Sequence, residues 1–152
     1  MTQVFFYHHE RRAFEEVLPK LVGASLERGW RVLIRCESAE RADAIDNLLW
    51  TFDEASFLPH AQQGDGDPAL QPVLITVEEG NANGANALFL IGGAAPPDWS
   101  QQIDLTRIAL MFDGRDPRML GAARASWKDA EAAGHEVKYY SDAASGKFEL
   151  QA

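Results

Sequence analysis

Five short apolar runs constrain this chain most: 2–7 (TQVFFY), 31–36 (RVLIRC), 73–77 (VLITV), 87–91 (ALFLI) and 106–112 (TRIALMF). A strand with one solvated face alternates polar with apolar residues, whereas near-continuous runs need cover on both faces. Between them lie segments of helical spacing. Residues 12–28 turn Phe14, Val17, Leu18, Leu21, Val22 and Leu26 to one side, and Gly29 ends the helix. Residues 38–52 open on Ser38 as N-cap, half of a capping box with Arg41 three residues on, and carry a stripe of Ala42, Ile45, Leu48, Leu49 and Phe52. Residues 116–133 follow Asp113-Gly114, take Pro117 in the first turn and stop at Gly134. A last strand is predicted at 135–141. The pattern predicts a Rossmann-like three-layer α/β/α fold with a mainly parallel central sheet, formed by residues 1–152 as a single domain.

A chain of 152 residues can bury roughly two thirds of its unfolded surface and needs no disulfide or metal to hold a core. The one cysteine, Cys36, has no internal partner, and the N-terminus lacks a charged and apolar leader, so a cytoplasmic location is expected. No apolar run approaches the ~20 residues of a membrane span. The net charge of −9 argues against direct binding to a nucleic-acid backbone, which draws its affinity from Lys and Arg replacing counterions. The Gly-, Asn-, Gln- and Asp-rich stretches 61–72 and 80–86 are expected to be mobile polar loops.

Such a fold invites a search for a nucleotide site. The first strand runs into His8-His9-Glu10-Arg11-Arg12, where a dinucleotide site needs a glycine-rich turn, and neither G-x-G-x-x-G nor a P-loop occurs. His8, His9, Glu10, His60 and His135 offer metal ligands, but adjacent histidines on a strand point to opposite sides and no His or Cys pair has a zinc-like interval. Cys36 lies inside an apolar strand and belongs with the core. No serine sits in a G-x-S-x-G elbow. No catalytic, metal or cofactor residue is expected.

Two places hold large groups outside the apolar stripes. At about 100° per residue, Trp50 shares a helix face with Asp43, Asp46 and Asn47 and so points towards solvent, with Phe57 seven residues on. Either this is a protein-binding anchor or the following loop folds over the indole. In the last helix Leu120, Arg124, Trp127 and Lys128 lie along one face, and Arg115–Lys128 carries four basic residues against one acid, Asp116. A guanidinium beside an aromatic wall suits an acidic ligand with an apolar side chain; a core Trp127 among solvated charges is the plainer alternative.

Leu49-Trp50 followed by Ser56-Phe57-Leu58-Pro59-His60 resembles the chi-subunit family of the bacterial DNA polymerase III holoenzyme. The opening Val4–Tyr7 and the stretch 29–37 (GWRVLIRCE) are similar to the family's first two strands. The likeness extends to 113–134 and has no motif in 61–104. It implies a non-catalytic adaptor, cytoplasmic and replisome-associated, that binds neither a cofactor nor nucleic acid directly. In the family, an arginine followed three residues later by an aromatic binds the acidic, phenylalanine-ended C-terminal tail of single-stranded DNA-binding protein. Here those positions are Arg124 and Trp127, with Lys128, Arg118 and Leu120 beside them; Leu120 stands where the family has a lysine. The resemblance also implies that Trp50, Phe57, Leu58, Pro59 and His60 dock the psi subunit of the clamp loader or a related helicase. The rival from another class is a small Rossmann-like nucleotide-binding or transferase enzyme.

Overall fold

The apolar runs form the spine of one sheet, whose strands are here numbered in chain order: β1 (Gln3–His9), β2 (Val32–Cys36), β3 (Ala61–Gln62), β4 (Val73–Thr76), β5 (Ala87–Ile91), β6 (Arg107–Asp113), β7 (Glu136–Ser141) and β8 (Glu149–Leu150). The computed structural model describes residues 2–11, 13–51, 59–101, 103–143 and 148–151. The strand order is β3-β4-β2-β5-β6-β1-β7-β8, and every pairing is parallel except β7 with β8. Strands β2, β4 and β5 are buried along their whole lengths, as continuous apolar sequence requires.

Three helices cover the two faces: α1 (Phe14–Glu27) and α2 (Ala39–Thr51) on one, α3 (Pro117–Ala132) on the other. Val17, Leu18 and Val22 of α1 and Ala42, Ile45 and Leu49 of α2 meet Ile34, Ile75, Phe89 and Met111 in the first core. Ala123 and Ala130 of α3 meet Val4, Phe6, Leu88 and Ile108 in the second, closed at its edge by Ala94 and Trp99 from the β5–β6 crossover. Each fully buried Leu, Ile or Phe contributes about 1.5–3 kcal/mol of transfer free energy, so the two cores are the main source of stability.

Helix ends follow the sequence signals. The Ser38 hydroxyl accepts from the Arg41 amide, and the Asp116 carboxylate accepts from the Arg118 amide. Gly134 takes a positive φ of 86° where α3 turns into β7, a conformation costly for any residue with a Cβ. The Asn-rich loop departs from expectation, because its asparagines are structural. Asn83 is buried and donates to the Val32 and Gln71 carbonyls, and Asn86 accepts from the Arg31 amide. Polar composition marked the turn; long-range hydrogen bonds pin it.

Burial also sets a pH dependence. The Cys36 thiol, 2 % exposed, is pushed from 9.0 up to about 12, and the Tyr7 hydroxyl from 10.0 up to about 12, in both cases chiefly by desolvation. The folded chain therefore keeps protons that the unfolded chain releases. The associated stability is complete below pH 9 and is lost as pH rises from 9 towards 12, by up to about 1.4 kcal/mol per pH unit and group. Urea melts at pH 8 and 11 should show the folded state weaker at the higher pH, with a smaller drop in Cys36→Ala. An equal drop in both proteins would remove Cys36 from this account.

Candidate functional site

The stripe of α2 buries Ala42, Ile45 and Leu49 and leaves Trp50 on the outside with 54 % of its surface exposed. Asp43 and Asn47 on the same side are also exposed. Among the described residues the His60 ring packs on the indole, with centroids 4.7 Å apart. His60 is 8 % exposed, and its Nε2 lies 3.2 Å from both the backbone carbonyl and the side-chain Oδ1 of Asp46. His60 thus props Trp50 from below rather than presenting itself. Pro59 is exposed beside them, while Phe57 and Leu58 fall outside the described residues.

On the opposite layer, α3 turns Ala123, Ser126 and Ala130 into the sheet and holds Trp127 half in, half out. The Trp127 ring packs on Phe6 at 5.5 Å and, edge to face, on Tyr139 at 5.9 Å. One side of the indole is core and the rest reaches the surface. Arg124 and Lys128 are exposed next to it and Leu120 is half-buried. Among the described residues neither Arg124 nor Lys128 has an ion pair within 4.0 Å. Arg118 sits six residues before Arg124, about 120° away around the helix, so Lys128 and not Arg118 extends the Arg124 face.

A third wall went unseen in the sequence. The Tyr139 hydroxyl lies 2.6 Å from His8 Nδ1, and His8 Nε2 lies 3.0 Å from Glu10 Oε1. Asp142 holds Glu10 in place by accepting from its backbone amide at 2.7 Å. Burial raises the Tyr139 pKa, and the nearby Arg124 charge acts the other way, which places the guanidinium within electrostatic reach of this phenol. Strand alternation puts His8 and Tyr139 on the α3 side, but only the β1–β7 pairing makes them neighbours. The result is a basic rim, an indole and phenol wall, and Phe6 beneath. The other flank of α3 borders a hollow of about 770 Å³ lined by Pro96, Pro97, Trp99, Asp98 and Asp129, whose acidic groups repel an acidic ligand.

The carboxyl edge of the sheet, where α/β folds commonly bind nucleotides, has a smaller hollow of about 390 Å³. His9, Glu15, Asp113 and Asp116 line it together with Arg41 and Arg115. Both arginines are already occupied: Arg41 by Glu37 at 3.1 Å, and Arg115 by both oxygens of Asp113 at 3.0 and 3.1 Å. Among the described residues lining it, an incoming phosphate would meet carboxylates and no unpaired guanidinium. His9 faces this hollow while His8 faces α3, and among the described residues no three His, Cys, Asp or Glu side chains are placed to share a metal ion. No helix among the described residues is long and apolar enough to cross a membrane.

Comparison with known proteins agrees with the likeness noted in the sequence. The chain is 29 % identical over 112 residues to a probable DNA polymerase III subunit chi from Rickettsia prowazekii, a match covering 74 % of this chain and 66 % of that protein. It is 35 % identical over 63 residues to the DNA polymerase III subunit chi of Escherichia coli, and 36 % over 62 residues to that of Haemophilus influenzae. Each of these two matches covers 41 % of this chain and 43 % of the relative. The chain thus spans just under two thirds of the first relative and less than half of the other two. A family model described as DNA polymerase III chi subunit, HolC, matches residues 1–138, nearly the whole length, and the chain therefore belongs to the DNA polymerase III chi subunit family.

Proposed function

We propose that this chain is a non-catalytic adaptor, in which α3 holds the acidic C-terminal tail of single-stranded DNA-binding protein and the Trp50 side of α2 holds the psi subunit or a related helicase. The observation that supports it most is the exposed Arg124, without an ion pair among the described residues, beside the half-buried Trp127 in a member of the chi family. A C-terminal carboxylate meets the guanidinium, neighbouring acidic side chains meet Lys128, and a terminal phenylalanine ring packs against Trp127 and Tyr139. Leu120 adds apolar area where a second cation would stand, which shifts the balance of the site from charge towards burial. Arg124 being exposed, the attraction is screened and weakens with salt.

Titration with a fluorescein-labelled acidic peptide ending in phenylalanine should give saturable binding that falls as salt rises. Arg124→Ala should lose about 1.5–3 kcal/mol of this affinity, roughly ten- to a hundredfold, while the psi subunit still binds. Absence of saturable binding, or equal loss of both partners from a folded variant, would overturn the assignment.

A further inference from the structure

A second group of cations lies on the α1 side of the sheet, far from α3. Arg107 Cζ stands 4.1 Å from the centre of the Phe5 ring and 5.0 Å from that of Trp30. Arg28 Cζ is 5.2 Å from the same Trp30 ring, and Lys138 Nζ is 5.6 Å from the same Phe5 ring. Three positive charges are thus laddered on two aromatic rings, in a chain whose net charge is −9. None of the three has a carboxylate within 4.0 Å among the described residues. Among the described residues the Glu136 carboxylate acts on Arg107 from beyond 4.0 Å. Of the five N–H groups of Arg107, two donate to Gln3 Oε1, leaving three unused by that contact.

The cations rim a hollow of about 480 Å³, within the size range of small-ligand sites. Phe5, Tyr7, Tyr140 and Phe148 form its aromatic wall, with Tyr7 and Tyr140 stacked at 5.4 Å and Phe148 edge-on to Tyr7 at 5.5 Å. Holding like charges together in a half-desolvated place is unfavourable. Burial and the neighbouring Arg28 both lower the proton affinity of Arg107. An anion seated between the cations would reverse that repulsion, and a planar group would find aromatic surface next to it.

We propose that this hollow binds a nucleotide unit, its phosphate on Arg28, Arg107 and Lys138 and its base along the aromatic wall. Phosphate suits the group better than a lone carboxylate, because its terminal oxygens, three in a monoester and two in a diester, are disposed tetrahedrally and not in one plane, and so can meet donors arriving from three separate elements. The whole-chain charge disfavours wrapping a long backbone but does not govern one local cluster. The site is independent of the α3 and α2 faces.

The test uses the full chain with two probes, thymidine monophosphate and fluorescein-labelled decathymidylate, at low salt. Saturable binding of the monophosphate would assign the hollow to a free nucleotide, and binding of the oligomer alone would assign it to a unit within a single strand. Either result supports the site when Arg28→Gln and Lys138→Gln each weaken binding, by roughly fivefold to tenfold. Arg28→Glu should weaken it most and yet leave the unfolding midpoint unchanged or raised, since it gives Arg107 a partner. Failure of both probes at millimolar concentration, or binding that is the same in Arg28→Glu as in the natural chain, would overturn the proposal.

Discussion

Trp50→Ala should remove about 2 kcal/mol or more of the affinity for the partner proposed at α2, roughly thirtyfold in the dissociation constant. The same substitution should cost folding less than truncating a fully buried tryptophan. The residue is already 54 % exposed, and among the described residues its indole packs on the His60 ring at 4.7 Å, a kind of contact worth about 0.5–1.5 kcal/mol. An aromatic group that contributes little to the isolated fold but much to a complex behaves as an anchor. Calorimetric titration of the psi subunit into the natural chain and Trp50→Ala, beside urea melts of both, separates the two quantities. Unchanged affinity with lowered stability would make Trp50 a structural residue and move the partner elsewhere. Because the interaction rests on apolar area, its affinity should change less with salt than that of the tail peptide.

Phe6→Ala carries the largest expected effect on the fold itself. Phe6 is wholly buried in β1, between β6 and β7, with Trp127 at 5.5 Å and Tyr139 at 6.4 Å. Emptying that volume should cost about 3–5 kcal/mol, a large share of the 5–15 kcal/mol typical of a folded domain. The midpoint should drop on the order of 10 °C. Phe6→Leu keeps most of the volume and isolates the ring's second role. It should leave the chain folded and the α2 partner bound, yet weaken the acidic tail, because the Trp127 indole loses the surface that fixes its angle. A Phe6→Leu variant with natural tail affinity would show that Trp127 is positioned by α3 alone.

Local chemistry was a good guide to the elements and a poor one to their neighbours. The helices and the longer strands lie within two residues of their sequence-derived bounds, because each carries its own signal: Ser38 and Asp116 as caps, Gly134 as a stop, unbroken apolar runs between. The two-residue strands β3 and β8 carry no period and were missed. Trp50 was legible because a single helix decides which side it occupies. Trp127 was only half legible, since its burial depends on Phe6 and Tyr139 from two other strands. The His8–Tyr139 contact and the Phe5–Arg107–Trp30 ladder were not legible at all: each joins residues about a hundred or more positions apart or facing strands whose order no local pattern encodes.

The helices bearing Trp50 and Arg124 cover opposite sides of the sheet. Two proteins seated there would never compete for space, so neither has to leave for the other to arrive. Tension between them would pass through the row of parallel ladders joining β2, β5, β6 and β1 rather than through a loop, giving a coupling that is stiff across its width.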